Sequence, residues 1–103
     1  MSSSKTTLTQ DELNTLLQER PEWSLRDGKL VRQFTFENFV KAMDFVTSVG
    51  VLAELAQHHP DIDIRYNKVE LALVSHDAGG ITARDARMAR QLSAEFPSLT
   101  VLS

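Results

Sequence analysis

No cysteine occurs in the 103 residues of this chain, which removes disulfide frameworks, thiolate zinc sites, iron–sulfur clusters and cysteine nucleophiles together. A long apolar run is missing too. The longest, Val49 to Ala53, is interrupted by Gly50 and falls far short of the roughly 20 residues a bilayer span requires, so no membrane association is expected. The small polar residues from Met1 to Thr7 lead into no apolar segment of the kind a secretory signal needs. They read as a disordered tail, residues 1–7, ahead of one domain over residues 8–103. Cationic excess is absent as well: eleven Lys and Arg stand against fourteen Asp and Glu, a net charge of −3. Phosphate backbones would find no footprint there, and direct nucleic-acid binding is not expected. No G-x-S-x-G elbow is present, and the Gly79-Gly80 pair lacks both the lysine and the glycine spacing of a phosphate loop. A zinc site built from the histidines with Asp77 or Asp85 is disfavoured, because no familiar ligand spacing occurs.

What remains, 42% hydrophobic and 24% charged residues, suits one compact core. Thr9 and Glu12 form a capping box, with Leu8 and Leu13 at the staple positions, and predict a short helix that Arg20-Pro21 stops. Asp27-Gly28 is a type I′ hairpin signal that sets Leu25 opposite Leu30, with Trp23 and Phe34 on the same face. Trp23 reads as core rather than site. From Glu37 to His59 the apolar residues follow helical period in two stripes. Phe39, Val40, Met43, Val46, Gly50 and Ala53 are assigned to the sheet; Ala42, Phe45, Val49, Leu52 and Ala56 are left as a self-association seam. A second hairpin follows Pro60, with Ile62, Ile64 and Tyr66 alternating on one strand and Val69, Leu71 and Leu73 on its return. Thr82 caps a last helix running to about Phe96-Pro97. The order α-β-β-α-β-β-α gives an α+β fold: a four-stranded antiparallel sheet with helices packed on one face.

All three histidines fall at element ends, His58 and His59 at the close of the long helix and His76 after the last strand. If the second hairpin folds back along that helix, the three converge, and imidazole is the side chain best suited to exchange protons near neutrality. Seen alone, His58-His59-Pro60 is equally a basic helix C-terminus before a proline stop. Glu54, four residues before His58, is placed to orient an imidazole or to make an ordinary surface pair. Asp85 completes a capping box with Thr82, yet it also lies on the apolar stripe of Ile81, Met88, Ala89, Leu92 and Phe96. A buried carboxylate there requires a partner, and a histidine would serve.

The string Glu54-x-x-x-His58-His59-Pro60, with Tyr66, His76 and Asp85 following at fixed spacing, resembles the signature of the pterin-4a-carbinolamine dehydratases. The likeness extends through Trp23, the Phe34-x-Phe36-x-x-Phe39 stretch, Tyr66-Asn67-Lys68-Val69 and Gly80-Ile81-Thr82. It implies dehydration of 4a-hydroxytetrahydropterin to quinonoid dihydropterin, without metal or cofactor, in the recycling of tetrahydrobiopterin after aromatic amino acid hydroxylation. The expected setting is the cytoplasm, with a functional link to a phenylalanine hydroxylase. On this resemblance His58 and His76 act as acid and base, with His59 and Asp85 completing the catalytic set. Glu54, Pro60, Ser75, Asp77 and Ala78 fall at substrate-binding positions, with His59 also helping to hold the pterin. A homodimer or homotetramer through the long helix and the sheet edge is implied as well. Two departures stand out: Gln57 where many members carry an acidic residue, and Ile62 where many carry an aromatic. Relatives of the fold also act as non-catalytic binding modules, either transcription-factor dimerisation cofactors or assembly chaperones. That reading stays open beside the enzyme.

Overall fold

The computed structural model describes residues 6–96. Helix α1 (Gln10–Glu19) begins at the predicted box: the Thr9 hydroxyl accepts the Glu12 N–H, and the Glu12 carboxylate accepts the Thr9 N–H. Strands β1 (Ser24–Arg26) and β2 (Lys29–Thr35) are joined through Asp27 and Gly28, both at positive φ, which places Leu25 opposite Leu30. Helix α2 (Phe39–Ala56) follows, then β3 (Asp61–Arg65), β4 (Lys68–Leu73) and α3 (Ala83–Glu95). The four strands are antiparallel in the order β1-β2-β4-β3, so β3 and the three-residue β1 form the edges. The fold is the α+β arrangement expected.

Because strand side chains alternate, Leu30 and Phe34 of β2 join Val69, Leu71 and Leu73 of β4 on one face. These five residues are essentially buried, and Leu16 of α1, Ala42, Phe45 and Val49 of α2, and Met88, Ala89 and Leu92 of α3 close over them. Trp23 is core, with its indole N–H donating to the Ser93 hydroxyl at 2.9 Å. The opposite face carries ion pairs, Arg26 with Glu70 and Lys29 with Asp61. No helix among the described residues is long and apolar enough to cross a membrane.

Four expectations change. The long helix starts at Phe39 and ends at Ala56, not at Glu37 and His59, because Asn38 caps its first turn and Gln57 takes the left-handed conformation at φ 53°. Its sheet-facing stripe is also rotated from the one assigned. Ala42, Phe45, Val49 and Ala53 are buried, while Phe39, Val40, Val51 and Leu55 are exposed. Small alanines let the helix backbone approach the sheet, so the supposed seam is largely core. Tyr66 leaves the strand alternation and sits in the β3–β4 turn at φ 53°. Thr7, placed in the tail, is bridged to Thr82, and the Leu8 N–H donates to the Ile81 carbonyl at 2.8 Å. Residues 1–5 of the predicted tail, and Pro97 at the predicted end of the last helix, lie outside the described residues.

Candidate active site

The site grows from the end of α2. The left-handed Gln57 sends its N–H back to the Ala53 and Glu54 carbonyls and turns the chain out of the helix, so that His58 and His59 point differently from helical neighbours. His58 swings inward. Its Nε2 lies 2.5 Å from Asp85 Oδ1, and its side chain is only 10% exposed. His59 stays in solvent, with Nε2 2.5 Å from Glu54 Oε2. Glu54 therefore orients the second histidine rather than His58, the one that helical spacing suggested. With both partners more than half exposed, that contact is worth little as stability.

Asp85 is fully buried at the start of α3 and belongs to a completed capping box with Thr82. Its Oδ2 accepts the Thr82 N–H at 2.9 Å and the Ser75 hydroxyl at 2.8 Å. The partner required for a carboxylate on an apolar stripe is thus present in His58. Ser75 and Thr82 are themselves buried, with their hydroxyls 2.8 Å apart.

His76 follows Ser75 on a turn that Gly80 closes. The Ser75 N–H donates to the Gly80 carbonyl at 2.9 Å, and the Ser75 carbonyl accepts the Ala78 and Gly79 N–H groups at 3.0 Å. Gly79, at φ 75°, supplies a conformation few other residues adopt. The His76 side chain is exposed and makes no hydrogen bond among the described residues. Asp77 accepts a hydrogen bond from the Arg84 guanidinium at 2.7 Å. Ala78 and Pro60 are half-buried.

The fold thus joins His58, Ser75, Thr82 and Asp85 directly, brings His76 beside them through the chain, and pairs His59 with Glu54. Among the described residues no three histidine or carboxylate side chains are arranged to hold a metal ion. Two features escaped the sequence reading. The Ser75–Thr82 hydroxyl pair links a strand end to a helix cap seven residues on, and no local pattern announces such a link. Arg32, only 6% exposed, lies on the core face of β2 with its guanidinium 4.1 Å from the Phe34 ring centroid. An arginine between Leu30 and Phe34 on an apolar stripe is the signal that could have found it.

Comparison with known proteins places this geometry in context. Residues 6–95 match the family model described as pterin 4 alpha carbinolamine dehydratase. A protein of Chloroflexus aurantiacus, provisionally named pterin-4-alpha-carbinolamine dehydratase, is 54% identical over 82 residues, which cover 80% of this chain and 88% of that one. A Thermomicrobium roseum protein with the same provisional name is 56% identical over 79 residues, 77% of this chain and 85% of its own. The crystal structure of a transcriptional coactivator/pterin dehydratase from Brucella melitensis superposes with a TM-score of 0.80 at 34% identity, covering 86% of this chain and 97% of the other.

Proposed function

The chain belongs to the pterin 4 alpha carbinolamine dehydratase family, and from that membership we propose that it is a hydro-lyase converting 4a-hydroxytetrahydropterin to quinonoid dihydropterin and water. The observation that carries the reading is the buried His58–Asp85 pair, whose carboxylate is also bonded to the residue immediately before His76. A helix cap alone has no use for an imidazole.

The chemistry requires one proton delivered and one removed. As the C4a–O bond breaks, the leaving oxygen takes a proton and departs as water; N5 gives up its proton, and its electrons form the C4a=N5 double bond. His58 suits the base role, since Asp85 stabilises the imidazolium that forms when the ring accepts the N5 proton. His76, exposed beside it, supplies the proton to the leaving hydroxyl. His59, steadied by Glu54, holds the pterin, with Pro60, Asp77 and Ala78 around it. Acid–base help of this kind is worth about 10² to 10⁴-fold. Tetrahydrobiopterin recycling, with a cytoplasmic phenylalanine hydroxylase as the source of carbinolamine, is the setting such a reaction fits.

A stopped assay with chemically generated 4a-carbinolamine tests this. Metal-free protein should accelerate dehydration, and a chelator should leave the rate unchanged. His58→Ala and His76→Ala should lower kcat more than they raise KM, with His59→Ala acting mainly on KM. Loss of activity with chelator and rescue by zinc would refute the metal-free mechanism.

Exposed Phe39, Val40, Val51 and Leu55 on α2 favour a second reading in addition, association with another chain through this helix, and the partner proposed is a second copy. Edge strand β3 supports the choice. An antiparallel pairing of two β3 strands centred on Ile64 sets each Asp63 opposite the second copy's Arg65, with Ile64 meeting Ile64. The non-catalytic module remains the alternative should the assay find no activity.

A further inference from the structure

We infer that Ser75 is a positioning residue that, together with Thr82, fixes which nitrogen of His58 faces the pterin, an assignment that rests on the dehydratase reading above. A count of protons along the buried chain carries it. The Ser75 hydroxyl has one proton and donates it to Asp85 Oδ2 at 2.8 Å. The contact between Ser75 Oγ and Thr82 Oγ1, also 2.8 Å, therefore takes its proton from Thr82. Thr82 Oγ1 in turn accepts the Arg84 N–H at 3.2 Å. Every proton thus points one way, from the backbone of α3 through two hydroxyls to the carboxylate.

Asp85 Oδ2 already receives the Ser75 hydroxyl and the Thr82 N–H. With two donors on one oxygen the group is built to be an anion, and an anionic Oδ1 makes His58 Nε2 the third donor, at 2.5 Å. The neutral ring then carries its proton on Nε2 and leaves Nδ1 as the lone-pair atom. Nδ1 has no hydrogen bond among the described residues, and it is not among their buried unpartnered atoms, so it is open to a ligand. The side chain of Ser75 thus acts on His58 from behind, while its backbone holds the turn carrying His76. Because Ser75 is 2% exposed, its hydroxyl serves the carboxylate rather than the substrate.

Nitrogen-15 NMR of the imidazole rings, recorded where His58 is neutral, tests this directly. Wild type should show a protonated Nε2 and a bare Nδ1; the opposite tautomer overturns the proposal whatever the variants do. In Ser75→Ala the carboxylate loses a donor in a site closed to water, and it must rotate or take up a proton. The Nε2–H population should then fall, with kcat reduced about tenfold or more and KM nearly unchanged. Thr82→Ser keeps both hydroxyl and cap and should behave as wild type. Ser75→Cys, a weaker donor of similar volume, should fall between the two, and it supplies the measurement if the alanine variant does not fold. A Ser75 variant with wild-type tautomer and kcat refutes the role. If wild type lacks dehydratase activity, the function fails while the spectra still decide the tautomer.

Discussion

His76 and Asp85 differ sharply in what the fold asks of them. The His76 side chain is exposed and unbonded within the described residues, so His76→Ala should change stability by no more than about 0.5 kcal/mol. Dehydration should nevertheless slow by about 10²-fold or more. Asp85→Ala removes a cap and leaves buried donors on Ser75 and Thr82 without their acceptor, a loss of about 2–4 kcal/mol by urea melts. Equal stability losses in the two variants would contradict this division. Asp85 was legible in the sequence because two independent patterns, the Thr82-x-x-Asp85 box and the apolar stripe, met on it. The partner of Glu54 was not. Its assignment depended on where α2 stops, and the stop is made by a left-handed glutamine, with no glycine to mark it.

Among the elements, the α1–β1 connection and α3 are locked by one polar cluster. Arg32 reaches the Phe96 carbonyl at 3.0 Å, and Ser93 donates to Glu22, which faces Arg32 at 3.6 Å. Burial alone would push the Glu22 carboxyl up. The Ser93 hydroxyl, its own backbone N–H and the charges of Arg32 and Arg20 more than reverse that, holding it below the usual carboxylate value. A carboxylate depressed in the folded state adds stability above its unfolded value and loses that contribution as pH falls through the folded one. Glu22→Gln should therefore lower Tm near neutral pH by a contribution of about 1 kcal/mol or less. The difference should close in acid, and a gap of constant size from neutral pH to strong acid would contradict the linkage. Element types and the register of the first hairpin were legible because capping boxes, Asp27-Gly28 and period-two alternation are local signals, whereas the second hairpin turns one residue early, at Tyr66-Asn67. The rotation of α2 was not. Both of its stripes are apolar, and only packing against the sheet selects the one carrying Ala42 and Ala53.

For the whole molecule, the test of self-association moves with the corrected rotation. Leu55, 80% exposed, is free of the core, so Leu55→Glu should leave the isolated fold intact while disrupting a helix-mediated interface. Ile64→Lys should do the same at the β3 edge. Sedimentation velocity at micromolar concentration should show wild type larger than a monomer and each variant smaller. Monomeric wild type would overturn the proposal. The helix-on-sheet plan was readable from element order alone, whereas the outward face of α2 depends on which residues the sheet claims first. The anchoring of Asp85 also bears on descent. A carboxylate that starts a helix and satisfies a buried serine is costly to discard, so a lineage that gave up the chemistry would keep Asp85 for its architecture. His76 carries no such obligation and would drift first. In judging whether a distant descendant still turns over substrate, retention of the exposed histidine on the Ser75–Gly80 turn is the informative character, and retention of the buried aspartate is not.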